Sequence, residues 1–407
     1  MVKIWYISKY SSTPEQSGPQ RQFSLAENFH KLGYKTSLFI SRSNSYLPNP
    51  KLNHYYKNLD FNGLSVIILN GPVIKLGFSL KRIYSWILFE FNLLRYSFSK
   101  SKIEYPDIII VSSLSFFTLL SGVILKKRFG SKLIIEIRDI WPLTLIEIGQ
   151  FRKNNLFIKL LLAIEKLSFS KADGIVGTMP KLDLYISKVL DKPFNFACIP
   201  MGFSDAQLKS TLQNHNYTFL SKYISENKFI VGYAGSIGKV NLVDEIVEAA
   251  KFLSVREDIF FAIFGDGPLK EKLISDSANL RNIAFFGSIS KYDIIPVLRD
   301  CNLLISPINN SSLYEYGVSF NKWIDYMLCK RPILASYSGY QSIINEADCG
   351  FFIEANNPFL LAEKIISIKN TNAKLLDEMG ERGYNYVLKN HNYEQLSKNY
   401  LNFITSI

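Results

Sequence analysis

The chain has 407 residues, 47% hydrophobic and 20% charged, which excludes a disordered or fibrous protein and supplies the apolar content for two domains of roughly 200 residues each. Its net charge of +12 is uneven: residues 1–200 hold 27 Lys and Arg against 13 Asp and Glu, and residues 201–407 hold 20 against 22. A basic first half suits an anionic lipid headgroup, a pyrophosphate-linked acceptor or nucleic acid, although no nucleic-acid module is recognisable.

Cys198, Cys301, Cys329 and Cys349 form no CxxC pair and only 4 His are scattered through the chain, which points to reduced thiols in a cytosol and away from structural zinc. The opening MVKIWYISKY lacks the basic region, apolar run and cleavage site of a signal peptide, and residues 3–8 read as a strand. The loop PEQSGPQR and a helix over 20–32 follow, the opening of a doubly wound sheet whose ligands lie at the carboxyl ends of the strands. Gly18 permits close backbone approach to a ligand, and Gln20 and Arg21 reach a phosphate or sugar from there; a plain surface loop fits the local residues equally well. Strands are expected at 34–41 and 64–70.

Residues 77–102 are aromatic and basic, with Glu90 alone opposing the cations. As a helix they place Trp86, Phe89 and Leu93 on one side, with Lys81, Arg82, Arg95 and Lys100 towards the ends. This pattern fits either an interfacial helix at an anionic membrane or a domain helix packed on its sheet. Residues 108–125 carry no charge over the length of a membrane span, but Pro106-Asp107 opens a β-rich run and the second half is helical with a basic end, so a strand and a helix are expected instead.

A strand at 132–137 delivers Arg138-Asp139-Ile140-Trp141-Pro142 to its carboxyl end; Arg138 and Asp139 read as site residues or as a buried ion pair. A helix at 156–169, strands at 174–177 and 196–201, and a linker around 204–227 complete the first domain. The second begins at Phe229: a strand, the tight loop Gly235-Ser236-Ile237-Gly238 with backbone N–H groups open to a phosphate, and a helix over 242–253. Strands follow at 260–264, 283–286 and 303–307. In GVSFNKWIDYMLCKRPILAS, Phe320, Ile324, Met327 and Leu328 give a helix one apolar stripe, with Ser319 or Asn321 as its cap. Asn321, Lys322 and Asp325 gather near its amino end, where free N–H groups and the dipole favour an anion. Lys330 falls at a left-handed position, at about 1 kcal/mol, and a strand over 333–336 follows.

The segments EIRDIWP, IPMGF, YAGSIG and GVSFNKWIDYM, in this order, resemble the family-4 retaining glycosyltransferases, and among them the L-fucosamine transferase-like enzymes of bacterial O-antigen and capsule assembly. The resemblance runs from the first strand to about residue 352. It implies an α/β protein of GT-B type, two Rossmann-like doubly wound domains facing a cleft: an acceptor domain over 1–204, a nucleotide-sugar domain over 205–390, and a helix over 391–407 crossing back to the first. It further implies that Asp325 holds the ribose, that Ser319, Asn321, Lys322 and the glycine loops at Gly18 and Gly235 to Gly238 hold the diphosphate, and that Ser288 and Ile289 meet the base through backbone. Arg138 stands where many relatives carry histidine near the reacting sugar, and Asp139 binds a sugar hydroxyl or orients the acceptor, with Gln20 and Arg21 alongside.

The chain departs from that pattern. Gly317 replaces a frequent acid, with Glu315 two residues away, and Ser236 and Asn241 stand where other relatives place arginine and lysine, which throws diphosphate charge onto Lys322. The reaction implied is metal-free and cofactor-free transfer, with retention, of an N-acetylated or deoxy hexose from a UDP-sugar to a polyprenyl-diphosphate-linked saccharide. The protein would sit peripherally on the cytoplasmic face of the membrane. A UDP-sugar 2-epimerase of the same fold and a non-catalytic nucleotide-sugar-binding subunit are the alternatives.

Overall fold

The computed structural model describes every residue except 15–19, 43–51, 53, 73–79, 100–103, 114, 148, 150, 213–217 and 291–292, so the expectations at Gly18 and Lys100 lie outside the described residues. Two compact units are formed, one from Met1–Pro200 with Tyr393–Ile407 and one from Met201–Asn392.

In the first unit the strands are β1 (Lys3–Ile7), β2 (Lys35–Ser41), β3 (Tyr56–Phe61), β4 (Leu64–Leu69), β5 (Ile108–Ser112), β6 (Lys132–Ile137), β7 (Gly174–Gly177) and β8 (Phe196–Cys198). Their spatial order is β3-β4-β2-β1-β5-β6-β7-β8, and every pairing is parallel except β3 with β4. Central strands such as IIIVS are buried on both faces, as a sheet covered on both sides requires. The helices that matter here are α1 (Arg21–Lys31), α2 (Leu80–Phe98), α3 (Phe116–Phe129), α4 (Leu156–Lys171) and, from the far end of the chain, α8 (Tyr393–Ser406).

Alternation along β1 sorts the two layers. Ile4 and Tyr6 join Phe29, Leu396 and Tyr400 in the core under α1 and α8. Trp5 points to the other face, against Tyr96 of α2 and Phe129 of α3. The helix α3 packs between α2 and α4 there.

The sequence reading missed β3, because YKNLDF is polar and largely exposed at the sheet edge. Its partner is fixed by a tight turn at Asn62-Gly63, both with positive φ, which is hairpin chemistry. In α2, Trp86, Phe89 and Leu93 are buried, so that side of the helix packs on the sheet and is not a membrane-facing stripe. The uncharged run at 108–125 divides into β5 and α3, and no helix among the described residues is long and apolar enough to cross a membrane.

The second unit holds a six-stranded parallel sheet of β9 (Phe229–Ala234), β10 (Ile259–Phe264), β11 (Ile283–Gly287), β12 (Leu303–Pro307), β13 (Ile333–Ser336) and β14 (Gly350–Ile353), in the order β11-β10-β9-β12-β13-β14. Of its helices, α5 (Asp205–Leu212), α6 (Val243–Phe252) and α7 (Asn321–Leu328) shape the site described next. The sequence order of β9, β10 and β12 around the sheet centre produces a switch point between β9 and β12, and α7 follows the carboxyl end of β12.

Candidate functional site

The helix α7 is held to the sheet by two buried aromatic donors. Trp323 Nε1 donates to Ser306 Oγ at the end of β12 (3.0 Å). The Tyr326 hydroxyl accepts from the Ala234 N–H at the end of β9 (2.8 Å) and donates to the Ile305 carbonyl (3.2 Å). With that face fixed, Lys322 is directed to the loop after β9. Its Nζ donates to Asn241 Oδ1 (2.6 Å) and lies 5.2 Å from the Tyr233 ring centroid. A Cβ on Gly235 would sit 3.8 Å from that ammonium, so the glycine keeps the cation and the loop backbone in direct proximity. Loss of solvation depresses the Lys322 pKa to about 7.

The Gly235 to Gly238 loop is braced from within and from beside. Asn241 Nδ2 and the Tyr233 hydroxyl both donate to the Ser236 carbonyl (3.0 and 2.9 Å). The Gly235 N–H bonds the Phe264 carbonyl and the Ile237 N–H bonds Asp266, which ties the rim of β9 to that of β10. At Gly265, with φ +147°, a Cβ would lie 1.8 Å from the Gly235 carbonyl oxygen, so only glycine allows the two backbones this close. Ser288 and Ile289 follow β11 on the next rim, Ser288 exposed and Ile289 half-buried.

Asp325 lies one turn along α7 from Lys322, half-buried, and its Oδ1 accepts from Gln207 Nε2 of α5 at 3.4 Å. Nothing local signals Gln207, which stands 118 positions away. Neither expected cap is used: Phe320 is the N-cap residue of α7 without a side-chain bond, Asn321 is exposed in the first turn, and Ser319 Oγ instead accepts from the Met201 N–H (2.8 Å). The first-turn N–H groups of α7 thus receive no bond from the N-cap side chain; that of Trp323 bonds the Phe320 carbonyl (3.2 Å), and those of Asn321 and Lys322 are placed to meet a ligand or water. Gly317 has φ +82°, so an acid at that position would be strained, and Glu315 is exposed. Lys330 adopts φ +58°, the left-handed position expected for it.

In the first unit the carboxyl end of β6 is organised by Glu136. It accepts from the Tyr6 hydroxyl (2.8 Å), Ser112 Oγ (2.9 Å), Gln22 Nε2 (3.3 Å) and Arg21 Nη2 (3.2 Å), all buried. Burial opposes its ionisation, but Arg21 and Arg138 with these hydrogen bonds outweigh it and hold the pKa below the usual carboxylate range. The expected acceptor role of Arg21 is thereby corrected: its guanidinium is fully buried, and besides Glu136 it donates to the carbonyls of Ile199 and Pro200. Gln20, the N-cap residue of α1, is half-buried.

Arg138 is half-buried, and its Nε and Nη1 have no hydrogen-bond partner among the described residues, so a cation with unused donors stands at the end of β6. Asp139 beside it is exposed, and no ion pair joins the two among the described residues. Next to them Trp141 meets Trp86 edge to face (6.1 Å), Trp86 Nε1 donates to the Tyr10 hydroxyl (2.5 Å), and Arg82 lies 5.9 Å from both the Tyr10 and Trp86 rings. Tyr10, Arg82 and Trp86 were not read as a group, because nothing in their spacing joins residues 76 apart.

Residues 219–386, nearly the whole second unit, match the family model described as Glycosyl transferases group 1. The chain is 21% identical over 297 residues to the probable glycosyltransferase WbjE of Pseudomonas aeruginosa, covering 71% of each. These matches show a glycosyltransferase, whose second unit is similar to the group 1 family. Its fold is shared by the sucrose-phosphate synthase of Thermosynechococcus elongatus (TM-score 0.76, 16% identity, 100% of this chain and 99% of that one). It is also shared by HepE of Anabaena, whose structure holds UDP and glucose (TM-score 0.66, 12% identity, 100% of both chains). The glycosyltransferase thus has an α/β architecture of GT-B type.

Proposed function

We propose that this glycosyltransferase moves a sugar, with retention of configuration, from a UDP-sugar to a polyprenyl-diphosphate-linked saccharide during bacterial surface polysaccharide assembly. The observation that carries the donor half is Lys322: a partly desolvated ammonium at the start of α7, held by Asn241 against the glycine loop after β9. A diphosphate there meets the cation, the loop N–H groups and the free N–H groups of α7 together. Asp325 one turn on accepts from ribose hydroxyls, and the backbone at Ser288 and Ile289 faces the base. The UDP in the HepE structure supports the choice of nucleotide.

Transfer needs charge neutralisation on the leaving nucleoside diphosphate, which Lys322 and the helix N–H groups supply without metal or cofactor. The departing phosphate oxygen takes the proton of the acceptor hydroxyl, so no pair of catalytic carboxylates is called for. The unused donors of Arg138 suit an anionic or hydroxyl-rich group at the acceptor end, with Asp139 beside them. The family resemblance and the basic first half support the lipid-diphosphate acceptor and peripheral placement on the cytoplasmic leaflet. UDP release from a panel of UDP-sugars, measured with and without lipid-linked acceptor, tests the reading. Release that depends on acceptor is expected. Epimerised sugar without acceptor, or binding with no turnover, would overturn it in favour of an epimerase or a binding subunit.

A further inference from the structure

The layer formed by α2, α3 and α4 over one face of the first sheet has an unusual outer side. On α2, Tyr84, Ile87, Phe91 and Phe98 are exposed at steps of three, four and seven, one stripe on the side opposite the buried Trp86, Phe89 and Leu93; Phe91 is 60% exposed. On α4, Leu156, Leu160, Ala163 and Leu167 form a second exposed stripe, with Leu156 at 83%. Ile124 is exposed on α3 between them.

The charges on these helices are one-sided. Lys81, Arg95, Lys127, Arg128, Lys159 and Lys166 are exposed, with Lys166 pairing with Asp191 at 3.0 Å and Arg128 lying over the Phe98 ring at 3.8 Å. The three helices contain two acids only, Glu90 and Glu165, and both are buried. Glu90 is consumed by hydroxyl donors from Ser115, Thr118 and Ser121, and Glu165 by the Tyr185 hydroxyl. The outer side therefore combines exposed leucine and aromatic stripes with cations, and the three helices carry no exposed acid of their own, Asp191 beside Lys166 belonging to the loop after the next helix.

We infer that this three-helix face, and the leucine stripe of α4 in particular, is a docking surface for an anionic bilayer. Apolar stripes bordered by cations match the acyl boundary and headgroups of such a surface in both respects, whereas a protein partner would have to be both apolar and acidic over the same area. The inference deepens the lipid-linked acceptor reading, but it names residues that contact lipid and not substrate.

Flotation of the full chain with phosphatidylcholine vesicles, with and without phosphatidylglycerol, tests it. The protein is expected to float with the anionic vesicles, less as salt rises, and little with the neutral ones. Replacing Leu156, Leu160 and Leu167 together by Gln should lower partitioning roughly tenfold or more, while Val255→Gln with Phe359→Gln, equally exposed in the second unit, should leave it unchanged. Circular dichroism and urea unfolding of the leucine variant check that its first unit is folded.

The inference is overturned by equal recovery with both vesicle types, by none with either, or by a leucine variant that floats like the parent. It is overturned too by sedimentation showing that the leucines hold two copies together without vesicle binding. Transfer to a short-chain, detergent-dispersed acceptor reads the proposed function separately: its loss in the parent with flotation retained would sink the acceptor reading and leave this surface standing.

Discussion

Lys322 Nζ lies 2.6 Å from Asn241 Oδ1, so that among the described residues this cation is held by a neutral amide and by no carboxylate. An amide orients an ammonium without compensating its charge, so desolvation prevails and the pKa stands at about 7. A bound diphosphate reverses that balance and raises it.

The sign of the pH effect follows. Free Lys322 is partly neutral above pH 7 and charged when UDP is bound, so binding takes up a proton and affinity falls as pH rises. Between about pH 7 and 8.5 the loss should approach tenfold. Calorimetry in two buffers of different ionisation enthalpy should reveal the proton uptake, and Lys322→Met should bind UDP weakly with the uptake gone. An unaltered pH profile in that variant would remove Lys322 from the diphosphate.

Asp325→Ala should weaken UDP binding by about 1.5–3 kcal/mol through loss of charge-assisted hydrogen bonds to ribose. Gln207→Ala should cost about 0.5–1.5 kcal/mol by releasing the Asp325 carboxylate it contacts at 3.4 Å. In the Asp325→Ala background the second change should cost almost nothing. Additive losses would mean that Gln207 acts elsewhere.

Arg138→Ala and Asp139→Ala should leave UDP affinity within experimental error and depress turnover, about a hundredfold for Arg138 if its unused donors meet the reacting groups. Normal turnover on the natural acceptor would return both residues to a structural role.

Burial raises the Glu165 pKa to about 8, against the smaller opposing effect of the Tyr185 hydrogen bond. A carboxyl with a raised folded-state pKa costs stability as pH climbs from its unfolded value, about 4.3, towards 8. Glu165→Gln keeps an oxygen for Tyr185 and should stabilise the fold by about 1–3 kcal/mol near pH 8, with little effect near pH 4.5. Urea unfolding at the two pH values decides it.

Much of the second unit was legible because its signals are local. The stripe of α7, the left-handed Lys330 and the glycine loop after β9 each depend on residues a few positions apart. The first unit was less so. Arg21 follows a glycine loop and reads as a ligand cation, yet Glu136, 115 positions away, claims it in the interior. In α2 both sides are aromatic, so periodicity alone could not say which stripe the sheet would take; packing against Trp5 and Phe39 settled it through Tyr96. Gln207 and Ser319 were invisible or misassigned for the same reason, since their partners lie 118 positions away.

The placement of α8 bears on how the chain is made. Tyr393, Leu396, Tyr400, Leu401 and Ile404 belong to the core beneath β1, β2 and β4, beside Phe29 of α1. Emerging from a ribosome, the amino-terminal half can build its strands and helices but cannot close that core, because the side chains that complete it are translated only after the whole second unit. The second unit, contiguous from Met201 to Asn392, can finish first, inverting the usual amino-to-carboxyl order of domain folding. Until those residues emerge, the nascent first unit would leave the apolar side of α1 uncovered.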